Sequence, residues 1–213
     1  MKVYPEGLKS KAVYVLGNAP SLLDTDLKTL NSEITIGCNH LWKSGFIPTY
    51  YCVWDINFFN QLEDVESFLS LPTSFIFPQH MLLYLAKRGL VDMIKNVYFV
   101  KTSEKEFFDS TAYDPEFNEV CFTGGTITTV CIPFAVYLKS TEIHLLGVEA
   151  GLKDTNEIKH FYPEVDYGEA IAKRLGVKYI PIVGHSQEVR DKTKRTWRHT
   201  KRILKHHKVK LNY

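Results

Sequence analysis

The stretch from Ala12 to Asn39 constrains the fold more than any other part of the chain. Ala12–Leu16 is a short apolar run with β-branched and aromatic residues, the composition of a buried strand. It breaks at Gly17-Asn18-Ala19-Pro20-Ser21, residues that either permit unusual backbone dihedrals or fix them. Leu22–Leu30 then has helical spacing, and Glu33–Cys38 reads as a second strand that stops at Asn39. A strand, a small-residue turn, a helix and another strand form the unit with which α/β folds hold phosphorylated ligands. The expectation is that the Gly17–Ser21 turn carries the phosphate of a nucleotide.

The rest of the chain repeats the alternation. Thr49–Trp54 is a buried strand ending at Asp55, Asn57–Leu69 a helix, Ser74–Phe77 a strand, His80–Arg88 a helix and Asn96–Lys101 a strand. Phe122–Thr126 is a second small-residue turn, opening an apolar helix over Ile127–Leu138, with Glu142–Leu146 as a central strand. A helix at Asp166–Leu175, a last strand at Lys178–Val183 and a basic helix at Gln187–His207 complete the pattern. Residues 102–118 and 151–163 have no clear period and read as lids or a small subdomain. Strands and helices alternating in this way predict an α/β fold: a single-domain three-layer sandwich with a mostly parallel, Rossmann-like sheet. The domain is placed at 1–189, and 190–213 is read as a basic C-terminal helical tail.

Charge is distributed unevenly. The net charge of +2 combines ten Lys/Arg against the single acid Asp191 between Arg190 and Lys210 with a net −7 over the first 189 residues. Trp197, Ile203, Leu204 and Val209 give the basic segment some apolar character, so an anionic membrane and a nucleic acid both suit it. No window approaches the roughly 18–20 uninterrupted apolar residues of a membrane span. The N-terminus shows no apolar signal region, so cytoplasmic residence is expected, with the tail able to hold the protein on the inner membrane surface. Cys38, Cys52, Cys121 and Cys131 all lie in or beside apolar runs and form no metal-type pair, which predicts reduced core thiols. Zinc-type His/Cys spacing is lacking, and the chemistry is expected to be metal-independent.

Ligands of open parallel sheets lie at the carboxyl ends of the strands, which gathers Gly17, Asn39, Asp55 and Glu149 on one edge. Thr123-Gly124-Gly125-Thr126 offers a second helix start with two glycines and two hydroxyls. His160, beside Phe161 and Tyr162 in a polar loop, suits a general base near neutral pH, and His185 in Gly184-His185-Ser186 suits the same part. His40 and His144 read as structural.

Gly17-Asn18-Ala19-Pro20-Ser21-Leu22, Cys38-Asn39, Thr123-Gly124-Gly125 and Leu146-Gly147-Val148-Glu149 follow one another within Ala12–Ile182. This ordered set resembles the bacterial sialyltransferases of the Campylobacter lipooligosaccharide type and the wider group that includes pterin pyrophosphokinase-like proteins. The resemblance implies a metal-independent glycosyltransferase that moves a sialic-acid-like or other sugar from a nucleotide donor, CMP-linked in those enzymes, to an acceptor hydroxyl. It implies donor contacts from Gly17, Asn18, Ala19, Ser21, Asn39, Asp55, Thr123, Gly124, Gly125, Thr126 and Glu149. His160 would be the base by its place ahead of the final helix and strand, Tyr162 would steady the departing phosphate, and His185 is the alternative base. Ala19 stands where that family has glycine. No cofactor beyond the donor is implied. A glycan, lipid-linked or other anionic acceptor would meet residues 190–210, with nucleic acid as the lesser alternative. Two rival readings are an ATP- and Mg²⁺-dependent pterin-type diphosphokinase, with Asp55 and Glu149 at the phosphates, and a non-catalytic nucleic-acid or membrane-binding module.

Overall fold

Seven parallel strands form the central sheet, and their order sets where a ligand can sit. The computed structural model describes residues 12–103, 121–122, 126–149, 160–162 and 187–213. The strands are β1 (Ala12–Leu16), β2 (Ile34–Cys38), β3 (Tyr50–Cys52), β4 (Ser74–Pro78), β5 (Val97–Val100), β6 (Thr102–Ser103), β7 (Cys121–Phe122), β8 (Glu142–Leu146) and β9 (Lys210–Asn212). The sheet runs β5-β4-β3-β2-β1-β8-β9, and β6 and β7 form a separate pair. From β1 to β5 each new strand is laid on the same side; the chain then returns to place β8 on the other flank of β1, with Leu16 opposite Leu146. The order therefore reverses between β1 and β8, and the carboxyl ends of these two strands mark the switch point at which open α/β sheets bind ligands.

Both faces of the sheet are covered, and its inner strands β2, β3 and β4 are buried on both sides. Val13, Val15, Ile36, Cys38, Cys52, Ile76, Ile143 and Leu145 belong to one core, shared with α4 (Thr128–Tyr137) and α5 (Gln187–His206). Leu16, Tyr51, Val53, Phe75 and Phe77 belong to the other, shared with α1 (Ile56–Asn60), α2 (Val65–Leu69) and α3 (Gln79–Lys87). Edge-to-face rings hold the second core together, with Phe58 to Phe68 at 5.1 Å and Phe59 to Phe77 at 5.7 Å between centroids. The three-layer α/β sandwich expected from the sequence is the observed fold.

Two expected helices are broken, and caps explain both breaks. Leu22–Leu30 is not one helix but two 3₁₀ turns, Pro20–Asp24 and Leu27–Leu30, because Thr25 is extended and the Asp26 carboxylate accepts the Lys28 N–H at 3.1 Å. Asn57–Leu69 divides into α1 and α2, because the Asp64 carboxylate accepts the Ser67 N–H at 2.9 Å and starts a new helix there. Apolar periodicity continues across such caps, so it alone does not reveal them. By contrast, α4 is buried all round, as its uniformly apolar sequence predicts.

The basic helix is present, and it is docked. Thr193, Thr196, Trp197, Thr200 and Leu204 are buried at spacings of three and four, placing one face of α5 in the same core as α4. Lys208, at φ +58°, then turns the chain into β9, which pairs with β8. The Lys210 ammonium donates to Glu142 Oε1 at 2.9 Å and the Asn212 amide donates to the same oxygen at 2.6 Å. His144 stacks on Tyr14 at 4.7 Å in the adjacent strand, in keeping with a structural role. Residues 190–213 thus contribute a helix to the core and a strand to the sheet. Strand β9 has no counterpart among the elements expected from the sequence. Most of the two lid segments, 104–118 and 151–159, and the expected elements at 166–175 and 178–183 lie outside the described residues. Among the described residues no helix is long and apolar enough to cross a membrane.

Trp197 is 1 % exposed. Replacing it with Ala is expected to lower unfolding free energy by about 3–5 kcal/mol, read from denaturant titration. Wild-type stability in that variant would mean that α5 does not belong to the core.

Candidate functional site

The switch point is stitched shut by backbone hydrogen bonds. The Gly17 N–H donates to the Leu146 carbonyl and the Ala19 N–H to the Gly147 carbonyl, both at 2.8 Å. This approach needs glycine on both sides. A Cβ on Gly17 would stand 2.2 Å from the Gly147 oxygen, and Gly147 itself has φ +63°. The expected row of open N–H groups across Gly17–Ser21 is therefore corrected: two of those donors are already bound. Ser21 follows in a five-residue 3₁₀ turn, too short to bring a helix dipole to bear on an anion.

What this turn does supply is the side chain of Asn18. Asn18 is 8 % exposed, and its Nδ2 donates to the Cys38 carbonyl at 3.2 Å. A carbonyl can only accept, so this bond sets which way the amide faces. Its Oδ1 is left buried with no partner among the described residues. Asn39, at the end of β2, adopts φ +46°, a left-handed conformation that asparagine tolerates. Its backbone carbonyl accepts the Tyr51 hydroxyl at 2.7 Å, and its Oδ1 is likewise buried with no partner among the described residues. The ends of β1 and β2 thus present two desolvated acceptors, each of which costs about 1–3 kcal/mol while no donor meets it.

Residues 160–162 are brought to the same place. The Phe161 N–H donates to the Asn18 carbonyl at 2.8 Å. Tyr162 lies face to face with His160, 5.0 Å between centroids, and edge-on to His40 at 4.9 Å. The Lys43 ammonium sits 4.6 Å from the centre of the Tyr162 ring. His40 Nε2 is 2.7 Å from Gln61 Oε1, and its ring packs on Phe58. Burial pulls His40 down to about 4 against the opposing Gln61 hydrogen bond, and the charges of Lys43 and His160 lower it further. His40 is therefore neutral at physiological pH.

The structure thus joins Gly17, Asn18, Ala19, Asn39, His160 and Tyr162. Asp55 caps α1 at the end of β3: its Oδ1 accepts the Asn57 N–H at 2.8 Å and the residue is exposed. Beside it, the buried indole Nε1 of Trp54 has no partner among the described residues. Glu149 is half-buried, just past Gly147. The Thr126 carbonyl accepts the Thr129 N–H at 3.1 Å and its hydroxyl lies 3.1 Å from that of Thr128, so Thr126 serves the start of α4. Thr123, Gly124, Gly125 and His185 lie outside the described residues. A cavity of about 380 Å³ between Trp42, Ile47, Leu62 and Phe68 involves none of the residues singled out from the sequence as a ligand contact. Among the described residues no three His, Cys, Asp or Glu side chains stand together as a metal cage.

Lys43 and Gln61 were not singled out from the sequence, and His40 was read as structural only. The turn Asn39–Ser44 is kinked at His40, and from it both the His40 ring and the Lys43 ammonium reach Tyr162. Local sequence does not reveal that approach, because Tyr162 comes from a distant part of the chain.

A family model described as 6-hydroxymethylpterin diphosphokinase MptE-like matches residues 2–155. The chain belongs to the MptE-like family. The match includes Asn18, Asn39, Asp55 and Glu149, while His160, Tyr162, α5 and β9 follow it. It falls on the pterin pyrophosphokinase-like side of the sequence resemblance and lends no support to the sialyltransferase side. No curated protein matches the chain.

The depressed His40 makes a pH prediction for this MptE-like chain. The unfolded state takes up a proton near pH 6.5, whereas the folded state resists until about 4. Stability is thus unaffected by this group above about pH 6.5 and falls by up to about 3 kcal/mol as pH drops through that interval. Urea unfolding at about pH 7.5 and about pH 4.5 is expected to show a smaller pH loss in His40→Gln than in the wild type. Equal losses would remove His40 from the account.

Proposed function

We propose that this MptE-like protein is a diphosphokinase-type transferase that moves the terminal diphosphoryl group of ATP to the hydroxymethyl group of a pterin-like heterocycle. The observation that carries the reading is the pair of buried amide oxygens of Asn18 and Asn39. Phosphate and carboxylate oxygens at neutral pH are themselves acceptors and cannot satisfy such a pair. A ring bearing an amino group beside a ring N–H can, and the pterin edge has that pattern. Family membership over residues 2–155 supports the same substrate class.

In this reading Asn18 and Asn39 hold the heterocycle at the ends of β1 and β2, and the Lys43 ammonium attracts the phosphates. The hydroxymethyl oxygen attacks the β-phosphorus of ATP, the bond from that phosphorus to the bridging oxygen breaks, and AMP leaves. His160, braced against Tyr162, accepts the hydroxyl proton. Mg²⁺ in such sites takes one or two carboxylates together with the nucleotide phosphates, so the scattered carboxylates Asp55 and Glu149 suit it better than a cage would. When bound, the ion would neutralise charge on the diphosphoryl oxygens. The Asp55 Oδ1 is engaged as a helix cap, which leaves Oδ2 as the oxygen for this task.

ATP with Mg²⁺ is expected to raise the melting temperature, and phosphorus NMR should show AMP formed only when a hydroxymethylpterin is added and Mg²⁺ is not chelated. His160→Ala should lower kcat by about 10²–10⁴ while leaving the ATP-induced shift in place. Stabilisation by CMP- or CDP-sugars with no response to ATP–Mg²⁺ would overturn the proposal in favour of glycosyl transfer.

A further inference from the structure

The cationic face of α5 lies outside the chemistry described above. From Lys194 to Lys210 the chain carries no acidic residue. Docking of the helix sorts its side chains: Trp197 and Leu204 are buried, while Lys194, Arg198, Lys201, Arg202 and Lys205 are exposed. The apolar residues that could have entered a lipid layer are therefore committed to the core, and Ile203 is half-buried. Such a helix lacks the apolar face that drives interfacial membrane binding.

What remains outward is linear. Lys194, Arg198, Lys201 and Lys205 follow one another every three or four residues, about 4.5–6 Å apart along the helix axis, with Arg202 beside them, close to the separation of neighbouring phosphates on a nucleic-acid strand. Beside this row Tyr213 is 73 % exposed. Its hydroxyl is 3.2 Å from the Lys201 ammonium, which also lies 4.7 Å from the ring centre. An exposed aromatic ring next to a row of cations is the combination that holds single strands, phosphates on the cations and a base on the ring. Burial and the nearby Arg202 charge hold His199 below its usual value, so it remains neutral among these cations. Because α5 feeds β9 at Lys210, opposite Glu142 at the start of β8, the helix runs away from the carboxyl edge of the sheet. The Lys194 end of the row is thus the end nearer the candidate site.

We infer that the outward face of α5 binds a single nucleic-acid strand without regard to sequence, through Lys194, Arg198, Lys201, Arg202 and Lys205, with a base stacked on Tyr213. The test is fluorescence anisotropy of a labelled oligothymidylate with the full chain. With about four phosphates engaged, affinity should fall about fifty-fold between about 50 and about 200 mM NaCl. Combined Arg198→Glu, Arg202→Glu and Lys205→Glu should weaken binding more than ten-fold and flatten the salt dependence, with an unchanged melting temperature. Arg198→Lys with Arg202→Lys should retain both. Tyr213→Ala should weaken binding several-fold and leave the salt slope as it was. No binding at the lower salt, or binding that ignores the charge reversals, would overturn the inference. So would capture by phosphatidylserine vesicles that the oligonucleotide fails to compete away.

Discussion

The two backbone hydrogen bonds from Gly17 and Ala19 to the end of β8 are the constraint on which the rest of the site depends. They close the switch point of the sheet, which in related architectures is the natural opening for a phosphate. With two of the turn's donors bound, its Asn18 side chain offers a ligand a buried acceptor that no described residue meets. The same closure carries the Asn18 carbonyl to the Phe161 N–H, and so brings His160 and Tyr162 to the end of β2. A missing side chain at Gly17 thus determines where the polar groups of three separate loops converge.

The architecture also separates tasks between its two faces. One core is built from phenylalanines on short, capped helices, and it supports Tyr51, whose hydroxyl holds the turn that presents Asn39, His40 and Lys43. The opposite core is closed by α4 and α5 and turns a strongly basic surface outward. An acidic body with a basic face is a dipolar particle, and its field orients approaching polyanions before contact.

Much of this was legible beforehand. Hydrophobic runs bounded by Gly, Pro and Asn located β1, β2, β4 and β8 within a residue or two, because the buried positions of these strands leave little room for polar residues. The rule that ligands meet the carboxyl ends of parallel strands placed Gly17, Asn39, Asp55 and Glu149 on one edge, and the ends of β1 and β2 do lie together there, whereas the approach of His160 was not read from that rule. Three features were not legible, each for a definite reason. Caps at Asp26 and Asp64 cut helices whose apolar period continues unbroken. His40 and Lys43 meet Tyr162 only through the tertiary approach of residues 160–162, which local sequence does not show. Strand β9, Lys210-Leu211-Asn212, has one apolar residue in three and becomes a strand only because β8 offers it an unpaired edge. The open row of N–H groups expected at the Gly17–Ser21 turn was not met for a related reason: partners of backbone N–H groups are tertiary and leave no trace in local sequence.

The position of β9 has a bearing on how the protein comes to be made. Its partner β8 lies 68 residues earlier at the Glu142–Lys210 contact, and α5 must fold and dock before the two can meet. During synthesis the edge of β8 therefore stays without β9, and α4 without α5, until both later elements have been made. A parallel edge and an apolar helix exposed together are a hazard for association between nascent chains. The run of positive charge on α5 emerges just before the strand that covers that edge, where mutual repulsion would keep incomplete copies apart.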